Sequence, residues 1–148
     1  MLLSLCRIVI LFLISASFSA FSANVSTYLP DGASYDKTIP TPESESALGF
    51  GIGERHPRHD QVLNYLTQVA DSSSRVTIKE IGRTTEFRSQ VLLTISSPTN
   101  LANLDDILAR RADMTMSAED PVVVWLGYSV HGDEISGTNA AMVVAYHL

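Results

Sequence analysis

The stretch VVVWLGYSVHGDEISG, residues 122–137, joins an apolar run to a cluster of polar groups. Its first five residues are apolar, and glycine, histidine and two acids follow within a few positions. A continuous apolar run of this length predicts a buried strand over residues 122–126, with Trp125 in the core. Ligands collect beyond the carboxyl ends of strands in α/β sheets, and His131, Asp133 and Glu134 stand there.

Helical and alternating apolar patterns come before this stretch. The pattern of alternation predicts two strands joined as a hairpin, with a helix on either side of the pair. A last helix, capped by Ser136 or Thr138, is predicted from Gly137 onward. This order is typical of an α/β domain with a mixed sheet. The earlier elements are a helix over residues 56–70, strands over 75–82 and 90–97, and a weaker helix over 100–111.

The N-terminus has the pattern of a secretory signal peptide. Arg7 precedes a short apolar run and then small residues, which predicts a signal over residues 1–22 with cleavage after Ser22. The alternative is an uncleaved anchor helix, but the apolar run is shorter than the roughly 20 residues that span a bilayer. We therefore expect a secreted or periplasmic protein without a stable membrane anchor. The only cysteine, Cys6, falls inside the signal, so a metal site in the mature chain must use His, Asp or Glu.

Composition divides the mature chain into two parts. Residues 23–53 are rich in Pro, Gly, Ser and Thr, which predicts an extended leader that packs along a domain without forming its core. Residues 54–148 carry the predicted helices and strands. The net charge of −6 excludes a nucleic-acid binder, because no basic stripe is present to neutralise phosphates.

The last predicted helix reaches Leu148 without a stop signal. No Gly, Asn or Pro follows to end the helix. Its apolar face would also lack the partners expected in a finished domain. We expect the chain to be the N-terminal piece of a larger protein.

His131 and Glu134 are the residues most suited to bind a metal. A strand end that leads into a helix can bring positions i and i+3 to one side, where imidazole and carboxylate reach one ion at about 2.0–2.2 Å. The alternative is a polar loop with a salt-linked histidine, since this spacing alone is common. His147 is expected too far along its helix to be a third ligand. The pair His56 and His59 is better explained as a solvated polar turn beside Pro57.

The segment GYSVHGDEISG, preceded by EIGRTTEFRSQVLLTISS and a helix, resembles the N-terminal part of the zinc carboxypeptidase family. The resemblance covers roughly residues 44–148. It implies a three-layer α/β/α fold with a mixed sheet, here truncated, and Zn²⁺ held by His131 and Glu134. Phe87 stands where the family usually has glycine. The residues that match the family's hairpin signature are Gly82, Arg83, Thr84, Glu86 and Arg88.

The resemblance also implies a function. It implies a secreted zinc metallocarboxypeptidase, which hydrolyses the C-terminal bond of peptide or protein substrates that have a free C-terminus. The third zinc ligand and the general base are then expected beyond Leu148, so this chain alone holds no catalytic residue and is expected to be inactive. Asp133 occupies a position where some family members have a substrate-binding arginine. An acid there favours a substrate amine or basic group.

Two other functions stay open at this point. Zinc-dependent N-acyl amino acid deacylases share HGxE on a similar fold, but their motif tends to follow the first strand, whereas a helix, a hairpin and another helix precede it here. The other alternative is a non-catalytic, truncated module that binds peptides. The deciding observation is whether the reading frame continues past Leu148 and supplies a histidine and a glutamate.

Overall fold

The structure is a computed structural model that describes residues 24–148. The predicted signal peptide, with Cys6 and Arg7, lies outside the described residues. A short 3₁₀ turn, Val25–Tyr28, comes first. The helices and strands that follow are α1 (His59–Ser72), β1 (Val76–Arg83), β2 (Ser89–Ile95), α2 (Pro98–Ala102), α3 (Leu104–Ala112) and α4 (Ile135–His147).

Strands β1 and β2 form the antiparallel hairpin predicted from their alternating pattern. Val76 lies opposite Ile95, and Ile78 lies opposite Leu93. These apolar pairs pack against the core, because the inward positions of the two strands share one face. The register shifts at Ile81, between Glu80 and Gly82, and this irregularity turns the Ile81 side chain out to solvent.

The core lies between α1, α4, the inner face of the hairpin and the leader. Tyr65 of α1 and Met142 of α4 are fully buried at its centre. Both helices use residues at helical spacing for this contact, as predicted for α1. The other buried core residues are Val25, Leu48, Ile52, Leu66, Val69, Val76, Val143 and Ala145.

The prediction that residues 23–53 would not form the core was wrong. Val25, Leu48 and Ile52 are each less than a tenth exposed, and Pro42 is fully buried. The two-stranded hairpin is too small to cover the apolar faces of both helices. The leader therefore supplies the missing side chains, and burial of those side chains is its main stabilising contribution.

The prediction of a buried strand over residues 122–126 was also wrong. The segment pairs with no strand of the described chain, and Val122 and Trp125 are 82% and 71% exposed. A central strand needs a strand beside it and cover on both faces. Within residues 24–148, β1 and β2 pair only with each other, so Trp125 is not a core residue.

The described residues mix helices and strands, as expected for an α/β protein, around one antiparallel pair. The three-layer arrangement with a mixed sheet, and its truncation, stay predictions. Between residues 24 and 148, no helix has both the length and the apolar character that a membrane crossing requires.

Helix boundaries differ in detail from the sequence expectations. Helix α1 begins at His59, where the backbone N–H of Arg58 donates to Gln61 Oε1 at 3.0 Å. The helix predicted over residues 100–111 is two helices, because Asn103 leaves the helical conformation between them. Its side-chain amide donates to the Thr99 carbonyl at 2.9 Å, which ends the first of the two.

Candidate metal centre

His131 and Glu134 lie in one hydrogen-bonded turn immediately before α4. The backbone N–H of Glu134 donates to the His131 carbonyl oxygen at 3.2 Å, so the two residues close a four-residue turn. Both side chains are exposed, as is that of Asp133. The turn brings an imidazole and a carboxylate into the same short segment, and their convergence on one ion stays a prediction.

A shallow groove of about 550 Å³ runs beside this turn. Asp133 and Glu134 line it together with the start of α4, whereas His131 is not among its lining residues. The two carboxylates are the only ionisable side chains that line the groove, apart from the phenol of Tyr128. The groove therefore has a negative electrostatic character. Its remaining lining residues are Gly127, Ser129, Val130, Ile135, Ser136 and Gly137.

Glu134 occupies the position just before the first residue of α4. Ser136 and Thr138 were predicted to cap this helix, but no side chain caps it. The N–H groups of the first turn give this end of the helix a partial positive charge, which favours a nearby anion. Glu134 therefore places its acidic side chain at the end of the helix that favours an anion.

The donor set fits zinc in type and is incomplete in number. Zinc is bound by imidazole nitrogen and carboxylate oxygen, and a catalytic zinc commonly has three protein ligands. Within residues 24–148, no group of three or more His, Cys, Asp or Glu side chains is placed to hold a metal ion. That His131 and Glu134 supply two of the ligands of such a site stays a prediction.

Two of the other histidines, His59 and His147, are hydrogen-bonded elsewhere. His147 lies at the far end of α4, about 18 Å along the axis from the first residue of that helix, and its Nδ1 is hydrogen-bonded to the Tyr35 hydroxyl at 2.8 Å. His59 donates from Nε2 to the Ser89 carbonyl oxygen at 2.9 Å, linking α1 to β2. This bond gives His59 a structural role. The sequence predicted that His59 is part of a solvated polar turn and did not indicate that role.

The hairpin signature forms a compact loop of paired charges between β1 and β2. Arg83 donates to Glu80 at 3.0 Å, and Arg88 contacts Glu86 at 2.9 Å. Thr84 closes the loop, since its N–H donates to the Arg88 carbonyl at 2.9 Å. Arg83 and Arg88 are more than half exposed, so these pairs contribute little to stability.

Two contacts that flank the turn from His131 to Glu134 were not anticipated from the sequence. The hydroxyls of Ser129 and Thr138 are hydrogen-bonded, and the Ser129 backbone lies against Gly137. No local signal could indicate them, because they join residues eight and nine positions apart across a loop.

A model of the family described as Zinc carboxypeptidase matches residues 62–148, which is more than half of the chain. The match includes α1 from Val62 onward, the hairpin and the turn that carries His131 and Glu134. Neither the curated proteins nor the solved structures gave a significant match.

Proposed function

This chain belongs to the zinc carboxypeptidase family, and on that basis we propose that it provides the first two zinc ligands, His131 and Glu134, of a secreted metallocarboxypeptidase. The observation that carries the proposal is the four-residue turn that joins these two residues at the edge of a negatively charged groove. The turn lies inside the part of the chain that the family model matches.

The two residues contribute different properties to the proposed site. His131 offers a ring nitrogen from an exposed position, and it binds a metal only as the neutral imidazole. Glu134 offers a carboxylate oxygen from the position just before the first residue of α4. When bound, zinc supplies a Lewis acid that polarises a peptide carbonyl and lowers the pKa of water.

Asp133 is proposed to contact substrate. It lines the groove next to Glu134 and makes no hydrogen bond or ion pair with any residue between 24 and 148. With Glu134 committed to the metal, Asp133 leaves a negative charge in the groove. A peptide with an amine or a basic side chain near the scissile bond would complement that charge.

The third zinc ligand and the general base are proposed to come from residues outside this chain. Support comes from the incomplete donor set, since within residues 24–148 no group of three or more His, Cys, Asp or Glu side chains is placed to hold a metal ion. A positioned base alone contributes about 10²–10⁴-fold to the rate. We therefore propose that this chain alone does not hydrolyse peptides, whereas a protein that includes the missing residues removes single C-terminal residues in the periplasm or outside the cell.

The experiment begins with the reading frame that encodes Leu148. If it continues and supplies a histidine and a glutamate, that longer protein is assayed on peptides with free C-termini. We expect release of single C-terminal residues, abolished by chelation and by His131→Ala. Release of amino acids only from N-acyl amino acids would replace this proposal with the deacylase function. Peptide binding without cleavage would replace it with a binding module.

A further inference from the structure

The loop before α4 folds back onto the first turn of that helix. A Cβ atom placed on Gly137 would lie 3.3 Å from the backbone nitrogen of Ser129 and 4.0 Å from its Cα. The first of these distances is tighter than most contacts that a Cβ atom makes. The absence of a side chain at Gly137 is what allows the loop to approach the helix this closely.

Ser129 is held in an unusual conformation at the same point. Its φ angle is 55°, in the left-handed region, which is unfavourable for a residue with a side chain. A residue keeps such a conformation when contacts with the surrounding structure hold it in place and offset its energetic cost. The hydrogen bond between the Ser129 and Thr138 hydroxyls is a contact of this kind.

Ser129, Gly137 and Thr138 together form what we call the clasp. The clasp joins the two ends of a short loop, and His131, Asp133 and Glu134 lie between those ends. We propose that the clasp positions His131 and Glu134 for metal binding, with Gly137 and Thr138 acting as positioning residues. This inference rests on the proposed function, because it assigns the clasp to the same metal site.

A role in general stability does not explain the clasp. Ser129 is exposed, and Gly137 and Thr138 are only partly buried. The core contacts of α4 lie farther along the helix, at Met142, Val143 and Ala145. Loss of the clasp should therefore change the loop without unfolding the domain.

The first arm of the test measures the turn without any metal. The exchange rate of the Glu134 N–H with water, followed by NMR, reports the hydrogen bond to the His131 carbonyl. We expect exchange to become several-fold faster in Gly137→Ala and in Thr138→Val, with unchanged exchange at Met142. Thr138→Ser keeps a hydroxyl and should restore the slow rate.

Gly132→Ala is the matched control for Gly137→Ala. A Cβ atom at Gly132 would meet nothing within 4 Å, so the same substitution in the same loop should leave Glu134 exchange unchanged. Equal exchange in the wild type, Gly137→Ala and Thr138→Val would overturn the proposal, because the turn would then be formed without the clasp.

The second arm measures zinc affinity at His131 by titration with zinc chloride. Groups that orient metal ligands typically change affinity by about 10- to 100-fold, and we expect a loss in that range for Gly137→Ala and Thr138→Val. Faster exchange with unchanged zinc affinity would overturn the positioning role. A third outcome is faster exchange in the variants while His131 and Glu134 of the wild type do not respond to zinc. That result would overturn the proposed function, and the clasp would then be only a feature of the fold.

Discussion

Phe87 has a left-handed backbone at the tip of the hairpin, where the family usually has glycine. Its φ angle is 60°, and its side chain is 78% exposed, so little packing offsets the conformational cost. The sequence identified the departure from glycine, and the structure supplies its physical consequence, which is strain at one residue.

Phe87→Gly should therefore stabilise the protein. The energy gained by relieving the strain should exceed the entropy that glycine adds to the unfolded chain. We therefore expect the free energy of unfolding, measured by urea denaturation, to rise by about 0.5–1 kcal/mol. Thr85→Gly is the control, because Thr85 is exposed in the same loop without a positive φ. That variant should lose stability, and a gain of equal size would contradict the explanation by strain.

Tyr65 is fully buried, and its hydroxyl has no hydrogen-bond partner among the described residues. Burial, with a smaller contribution from Tyr146, raises the pKa of the Tyr65 phenol above its ordinary value of 10.0. The folded state therefore keeps its proton at a pH at which the unfolded chain loses it. Stability is unaffected below about pH 9 and falls above about pH 10.

Tyr65→Phe should remove the part of the loss of stability above pH 10 that Tyr65 causes. The variant is expected to equal or exceed the wild type in stability at pH 7, since an unpaired buried hydroxyl costs about 1–3 kcal/mol. Thermal unfolding of both proteins between pH 7 and pH 11 measures the difference, which should widen above pH 10. Tyr146, whose pKa burial also raises, leaves a residual slope in both proteins. Parallel curves for the two proteins would show that Tyr65 does not titrate as described.

Among the elements, local patterns predicted those whose contacts are close in sequence. Helix α1 and the hairpin follow from the apolar spacing of Val62, Leu66 and Val69 and from the alternation of Val76 and Ile78. The role of the leader could not be predicted in this way. Leu48 and Ile52 become core residues through contacts with distant helices, and their Gly- and Ser-rich surroundings resemble those of a surface segment.

Leu48→Ala tests whether the leader belongs to the core. Loss of a buried leucine side chain typically costs about 2–5 kcal/mol, and we expect a loss in that range by urea denaturation. Leu108 of α3 is half-exposed, so Leu108→Ala is the matched control and should cost well under 1 kcal/mol. Equal effects of the two substitutions would mean that the leader is not part of the cooperative fold.

For the whole molecule, the segment over residues 122–126 is the main difference between sequence and structure. Its apolar pattern predicted a buried strand, but the segment is exposed, and the described residues supply neither a paired strand nor a covering helix. In the candidate site, too, some features could be predicted from the sequence and others could not. The residue types and spacing of His131 and Glu134 were readable from the sequence, whereas the clasp depends on how the loop meets α4.

The exposed segment should make the chain self-associate. Residues 122–126 are uncharged, are mostly β-branched, and make no backbone hydrogen bond with the described chain, which are properties of segments that pair between molecules. Val124→Lys should reduce the concentration-dependent association seen by light scattering. Met114→Lys makes the same charge change at a site that is 90% exposed and should have little effect. Equal suppression by both variants would indicate a general charge effect.

The central claim is that His131 and Glu134 bind the same zinc ion, and side-chain NMR during a zinc titration tests it most directly. The imidazole of His131 and the carboxyl carbon of Glu134 should respond together with one weak saturation curve, because two ligands hold zinc less tightly than three. His56, His59 and His147 should not respond, and Glu134→Gln should weaken the response of His131. Separate curves for His131 and Glu134, or tight stoichiometric zinc that is lost in His147→Ala, would contradict the claim.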